Sequence, residues 1–297
     1  MKDKSPVILK RVLQEKHPDE LSIVEFLMEE PRKSDPKNHS LPLIEVLQPA
    51  EEPTEKILVM PLCREWDSPG FETIGEVIDF IRQLLEGVQF LHDNRIAHRD
   101  LKSGNIMMDT SLYTQSFHPL DQDRSVDAQS DVHAKYTRTE RRPRYYIIDY
   151  GLARRYEEGE MPPMEVTGIF GSDFTVPEFE SQDEPHNPFP IDIYCLGNVI
   201  WNHVLDRRGH DIGFNWLIPL INEMTDKDPN KRPTIGEVVV KFDAAVSKIS
   251  EWTLRSRFVV SWSELEWYTR LTKTVPFTIR KFRFIANRTP AIPTDRP

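Results

Sequence analysis

The chain has 297 residues, 38% of them hydrophobic and 10% aromatic, enough to bury a sizeable core as one large domain or two small ones. A formal charge of −10 argues against a nucleic-acid partner, which calls for a basic domain or stripe. Two cysteines far apart, Cys63 and Cys195, suggest neither a disulfide framework nor a zinc site, and they fit a reducing intracellular setting, cytoplasmic or nuclear.

In chain order, Val7 to Lys10 reads as a short strand ending in lysine, and Pro18 to Met28 carries Leu21, Ile23, Val24 and Leu27 at roughly helical spacing. A polar loop follows from Glu29 to Ser40. Leu43 to Leu47 and Lys56 to Leu62 then read as two strands joined by a Pro/Glu-rich turn. From Thr73 the pattern changes: Thr73 and Glu76 form a capping box ahead of apolar residues at helical spacing from Ile74 to Leu91. Further helices are expected over Ile193 to Leu205, Asn215 to Thr225 and Ile235 to Ile249, the last behind a Thr234 and Glu237 box. Thr110 to Arg144 is polar with mixed charge and reads as an unstructured surface loop. The tail from Glu251 is richer in Lys and Arg than in Asp and Glu and reads as mobile too. The polar start of the chain and the Asp192, Asn198 and His203 that interrupt its most apolar later stretch leave no expected signal peptide or membrane span.

The run His98-Arg99-Asp100-Leu101-Lys102-Ser103-Gly104-Asn105 fixes six residue types in eight positions, a pattern that arises by chance in on the order of one window in 10^8. An apolar strand, Tyr145 to Ile148, then delivers Asp149-Tyr150-Gly151. Val176-Pro177-Glu178, Asp192 to Gly197, and Asp228-Pro229-Asn230-Lys231-Arg232-Pro233 follow in order. Together these resemble the catalytic domain of eukaryotic-type serine/threonine protein kinases, from about Val7 to about Phe242.

That resemblance implies an α+β, bilobal fold. A small N-lobe would occupy residues 1–63 and a helical C-lobe 64–250, with an insertion at 110–144 and a basic tail at 251–297. It implies ATP and Mg2+ as cofactors, a protein substrate, and no membrane or nucleic-acid partner. Asp100 would be the catalytic base. Lys102, at a position where tyrosine kinases usually differ, would meet the γ-phosphate, and Asn105 and Asp149 would be metal ligands. Lys10 would pair with Glu20, Glu25 being the competing partner. Met60 would be the gatekeeper, and Cys63 would offer its backbone N–H to adenine. Glu178 and Arg232 would pair inside the large lobe, and Asp192 would hold the His98-Arg99 turn. Arg99 would grip a phosphorylated activation segment, with Thr167, Ser172 and Thr175 as acceptors.

The sequence also departs from the family. Six residues precede the Lys10 strand, and none of the 12 glycines forms the G-x-G-x-x-G pattern that covers the ATP phosphates. Losing two hydrogen bonds to phosphate would weaken nucleotide binding by on the order of 10^2 to 10^4. Three readings remain open: a truncated form of an active kinase, a loopless kinase of weak activity, and a pseudokinase acting as an interaction module. Asp206 to Gly213 is too short for the helix usual there, and Gly171 to Thr175 matches the expected peptide-binding shelf only loosely.

Overall fold

The computed structural model describes residues 6–166, 173–205, 213–258 and 267–295, apart from 51, 53 and 182. The first part is a three-stranded antiparallel sheet in the order β1-β3-β2, formed by β1 (Val7–Leu13), β2 (Glu45–Leu47) and β3 (Glu55–Pro61). Strand β1 pairs with β3 in a register that sets Lys10 opposite Leu58. Between β1 and β2 lies helix α1 (Glu20–Leu27), which buries Glu20, Ile23, Val24 and Leu27 on one face. Spacings of three, four and seven from Glu20 put all four side chains on that face.

The second part is mainly helical. Its axis is α2 (Ile74–Asp93), where the Thr73 hydroxyl accepts from the Glu76 N–H and the Glu76 carboxylate reaches back to the Thr73 N–H. The capping box expected from sequence is therefore formed. Helix α2 is buried along most of its length and packs against α5 (Ile235–Val246), which starts from its own Thr234 and Glu237 box. Helix α3 (Pro188–Ile200) starts five residues before the apolar run suggests, because the Asn187 side chain caps it and Pro188 supplies a preset φ at its first position. Helix α4 (Ile218–Met224) completes this core.

Short strands carry the loops between lobes. A second sheet runs β4 (Arg64–Glu65), β6 (Ile106–Met108), β9 (Tyr145–Ile147), while β5 (Ile96–Ala97) pairs with β10 (Arg154–Arg155) and β11 (Glu165–Val166) with β12 (Pro185–His186).

Two expectations are overturned. The insertion is folded: Phe117–His118 (β7) and Asp121–Ser125 (β8) form a hairpin, and Arg138 is buried. The Arg138 guanidinium donates to the Tyr145 hydroxyl at 2.8 Å, the Trp66 carbonyl at 2.7 Å and the Pro69 carbonyl, and lies 4.4 Å from the Phe71 ring centre. The described residues of the tail are folded too, as α6 (Glu251–Leu254) and α7 (Trp267–Ala286), with Ala291 buried against α2. In both cases the anchors are arginines that meet carbonyls and carboxylates remote in sequence, so a polar composition conceals an ordered segment. Residues 206–212 and 167–172, on which the short-helix expectation and parts of the shelf and phosphoacceptor expectations fall, lie outside the described residues.

Candidate functional site

A cavity of about 460 Å³ lies between the two parts. Lys10 and Glu20 reach it from the small part, Met60, Pro61, Leu62 and Cys63 from the end of β3, and Ile148, Asp149 and Tyr150 from below. At its inner end Lys10 Nζ bonds Glu20 and, at 2.7 Å, Asp149 Oδ1. Glu20 is thus the partner and Glu25 is not. Strand β1 and helix α1 hold the pair from opposite sides, because Lys10 shares the inward face of its strand with buried Val12. Burial pulls the Lys10 ammonium down, but its bonds to Asp149 and Glu20 outweigh this and raise its pKa above 10.5. Burial pushes the Asp149 carboxyl up, and the Lys10 bond reverses that to hold it below 3.8. Both groups therefore carry charge at neutral pH. Burial, reinforced by Asp109, pushes the Cys63 thiol up to about 12, so the side chain stays a protonated, unreactive thiol at neutral pH.

Asp149 has φ of 67°, a left-handed conformation unusual outside glycine, and its carboxylate accepts from the Gly151 N–H. The tyrosine at the next position is explained by a partner: the buried Tyr150 hydroxyl donates to Ser40 Oγ at 2.8 Å. His17 Nδ1 lies 2.7 Å from the Gly151 carbonyl and steadies the same turn. Neither Ser40 nor His17 was legible beforehand, since each meets the turn from more than a hundred residues away.

Asp100, Lys102 and Asn105 form a neighbouring cluster. Lys102 Nζ donates to Asp100 Oδ2 at 2.7 Å, and Asn105 Nδ2 donates to Asp100 O at 2.8 Å and Oδ2 at 3.0 Å. With Nδ2 so engaged, the side-chain oxygen Oδ1 of Asn105 is the end left to meet a cation. The loop is anchored by Asp192, whose carboxylate accepts from the N–H groups of His98 and Arg99, each at 2.8 Å, and fixes Arg99 at φ of 66°. Two bonds tie this cluster to the Asp149 turn: His98 Nε2 to the Ile148 carbonyl at 3.0 Å, and the Ile148 N–H to the backbone carbonyl of Asn105 at 2.9 Å. Asp149 and Asn105 thus offer hard oxygen donors, a set that suits Mg2+, which usually takes one or two protein oxygens and completes its shell with phosphate and water. Among the described residues, no group of three His, Cys, Asp or Glu side chains forms a closed metal cage.

Comparison with known proteins agrees with this geometry. A family model described as protein kinase domain matches residues 2–211. The chain belongs to the protein kinase family. Death-associated protein kinase 2 of Homo sapiens is 34% identical over 127 residues, 42% of this chain and 25% of that protein. The serine/threonine-protein kinase polo of Drosophila melanogaster is 50% identical over 181 residues, 54% of this chain and 25% of its own length. A relative from Acanthamoeba polyphaga mimivirus, named as a serine/threonine-protein kinase, is 23% identical over 189 residues and 56% of each chain. The chain therefore spans about half or less of the length of these relatives.

The family frame accounts for the two remaining anchors. Arg232 and Glu178 form a bidentate pair at 2.7 and 2.8 Å with side chains 0% and 2% exposed. Among the described residues Arg99 pairs with a carboxylate: Glu165 in β11 lies 3.4 Å from Arg99 Nε, accepts from Arg154 at 2.8 Å, and accepts from the Tyr156 hydroxyl at 2.7 Å. Sequence reading missed Glu165 because an acid in an acidic chain carries no signal of its own. Of the expected phosphoacceptors, Thr175 is described, and its hydroxyl donates to Asp173 at 2.6 Å; Thr167 and Ser172 fall outside the described residues. No helix among the described residues is long and apolar enough to cross a membrane.

Proposed function

We propose that this chain binds Mg-ATP in the cavity between its two parts and transfers the γ-phosphoryl group to serine or threonine hydroxyls of protein substrates. The observation that carries this reading is the Lys10 ammonium held between Glu20 and Asp149 beside the Asp100, Lys102 and Asn105 cluster. In that arrangement Lys10 grips the inner phosphates, and Glu20 keeps it there. Asp149 and Asn105 hold the Mg2+. Bound there, the ion would supply positive charge against the phosphates. Asp100 orients the acceptor hydroxyl and takes its proton, while Lys102, bonded to Asp100, faces the moving phosphoryl group. Met60 and Cys63 line the base end, where the Cys63 N–H serves adenine.

The test is thermal unfolding of the whole chain with and without Mg-ATP, with phosphoryl transfer to a generic protein substrate measured alongside. A ligand at 100 times its Kd stabilises the fold by about 2.7 kcal/mol. That shift should appear in the wild type, need Mg2+, and vanish in Asp149→Asn. Asp100→Asn should keep the shift and lower transfer by at least about 10^3. A chain that shows no shift, or an Asp100→Asn variant with unchanged transfer, would overturn the reading in favour of a kinase-like interaction module.

A further inference from the structure

The insertion does more than cover the surface, because Pro119 and Gln122 of its hairpin line the same cavity as Met60 and Cys63. Gln122 is held rigidly there. The neighbouring Arg64 is completely buried, donates to the Gln122 carbonyl and pairs with Asp123 at 3.2 Å. Its guanidinium lies 4.0 Å from the ring centre of Tyr113 and 4.7 Å from that of Phe117, both from the insertion. The Glu65 N–H donates to Gln122 Oε1 at 3.2 Å, and Gln122 Nε2 donates to the Cys63 carbonyl at 3.2 Å. A backbone N–H only donates and a carbonyl only accepts, so these two partners fix which end of the amide faces the cavity's base end.

The backbone leaving β3 offers a short pattern of polar groups. The N–H and C=O of one residue in an extended chain point to one edge, and those of the next residue point to the other. Leu62 turns its N–H to the Pro6 carbonyl at 3.2 Å, and Val59 turns its carbonyl to the Ile44 N–H at 2.8 Å on the opposite edge. Pro61 and Cys63 share the edge of Val59 and lie beyond the last β2 pairing, Glu45 with Val59. That edge therefore reads acceptor at Pro61 C=O, donor at Cys63 N–H, acceptor at Cys63 C=O.

Adenine needs only the first two, giving its 6-amino hydrogen to Pro61 and taking the Cys63 N–H on N1. Guanine has an acceptor at O6 and donors at N1 and the 2-amino group, so it fits only when shifted along by one group, with O6 on the Cys63 N–H and its donors on the Cys63 carbonyl. Gln122 Nε2 already takes one of the two lone pairs of that carbonyl, and a bound guanine would bring its own donors against the amide NH2, where donor meets donor. We propose that Gln122 is a specificity-determining residue that disfavours guanine against adenine nucleotides by holding its amide NH2 donor beside the Cys63 carbonyl. This rests on the nucleotide-site reading above.

The test uses the whole chain and its Gln122→Ala variant, with Kd values for Mg-ATP and Mg-GTP taken from the dependence of melting temperature on nucleotide concentration. The melting temperature without nucleotide reports whether the hairpin stays folded. Gln122→Met, which keeps most of the side-chain volume and loses the amide, is measured in parallel for the case where alanine lowers it. The wild type should favour ATP, and the ratio of GTP to ATP Kd should fall about tenfold in the variants, the worth of one hydrogen bond. A ratio unchanged in both variants, or a wild type that binds GTP as tightly as ATP, would overturn the inference and leave the nucleotide site standing. Binding of neither nucleotide by the wild type would overturn the site itself and the inference with it.

Discussion

The His98 imidazole is sealed from solvent, and burial pulls its pKa below 6.5 against the opposing pull of Asp192, the Ile148 carbonyl, Asp100 and Asp149. The folded protein then binds fewer protons at this site than the unfolded chain does, so its contribution to stability is complete above 6.5 and is lost as the pH falls below that value. Urea midpoints followed downward from neutral pH should show this decline, and His98→Gln should lose that part of it. The Arg232 and Glu178 pair gives a second residue-scale prediction. Both side chains are buried, and Arg232 also donates to the Asp226 carbonyl at 2.8 Å and the Pro190 carbonyl at 2.9 Å. Arg232→Ala leaves Glu178 charged and unpaired, and chemical denaturation should register a loss of about 3 to 5 kcal/mol. Both effects follow from groups whose identity was readable in the sequence, because the motifs that carry them are contiguous.

At the scale of elements, the short strands that bear the site are held by side chains from outside them. Strand β11 owes its place to Glu165, which joins Arg99 of the His98 to Asn105 loop to Arg154 of β10. Glu165→Ala should cost about 2 kcal/mol, the worth of charge-assisted hydrogen bonds, and should speed amide exchange in β11 and β12. The insertion depends in the same way on Arg138. Arg138→Met leaves the Trp66, Pro69 and Gly70 carbonyls short of a donor and should lower stability by about 3 kcal/mol, with protease sensitivity rising first between residues 110 and 144. These contacts were hidden in the sequence because most of them join an arginine to a group far along the chain, and no hydrophobic period marks either side.

On the scale of the whole molecule, the C-terminal segment is a brace on the central helix. A Cβ added at Gly75 would stand 2.0 Å from the Ala291 carbonyl oxygen, so α2 and the tail meet backbone to backbone there. Arg255 donates to the Thr289 carbonyl at 2.6 Å, and Arg142 joins Asp79 of α2 to Asp295 at 2.9 and 2.8 Å. Gly75→Ala should push the tail off, costing about 1 to 3 kcal/mol, and limited proteolysis should then cut near residues 287–295. By itself the sequence determined the family and the helices marked by capping boxes, and it singled out Asp100, Lys102, Asn105 and Asp149 as candidate site residues, because each of these depends on residues within a few positions of one another. The tertiary structure decided between Glu20 and Glu25 as the partner of Lys10, and it alone decided that Glu165 meets Arg99, that the insertion brings Gln122 to the cavity beside Cys63 and that the tail closes on Gly75. Those outcomes depend on which distant polar groups come within bonding distance once the core has packed, and neither composition nor local spacing encodes that distance.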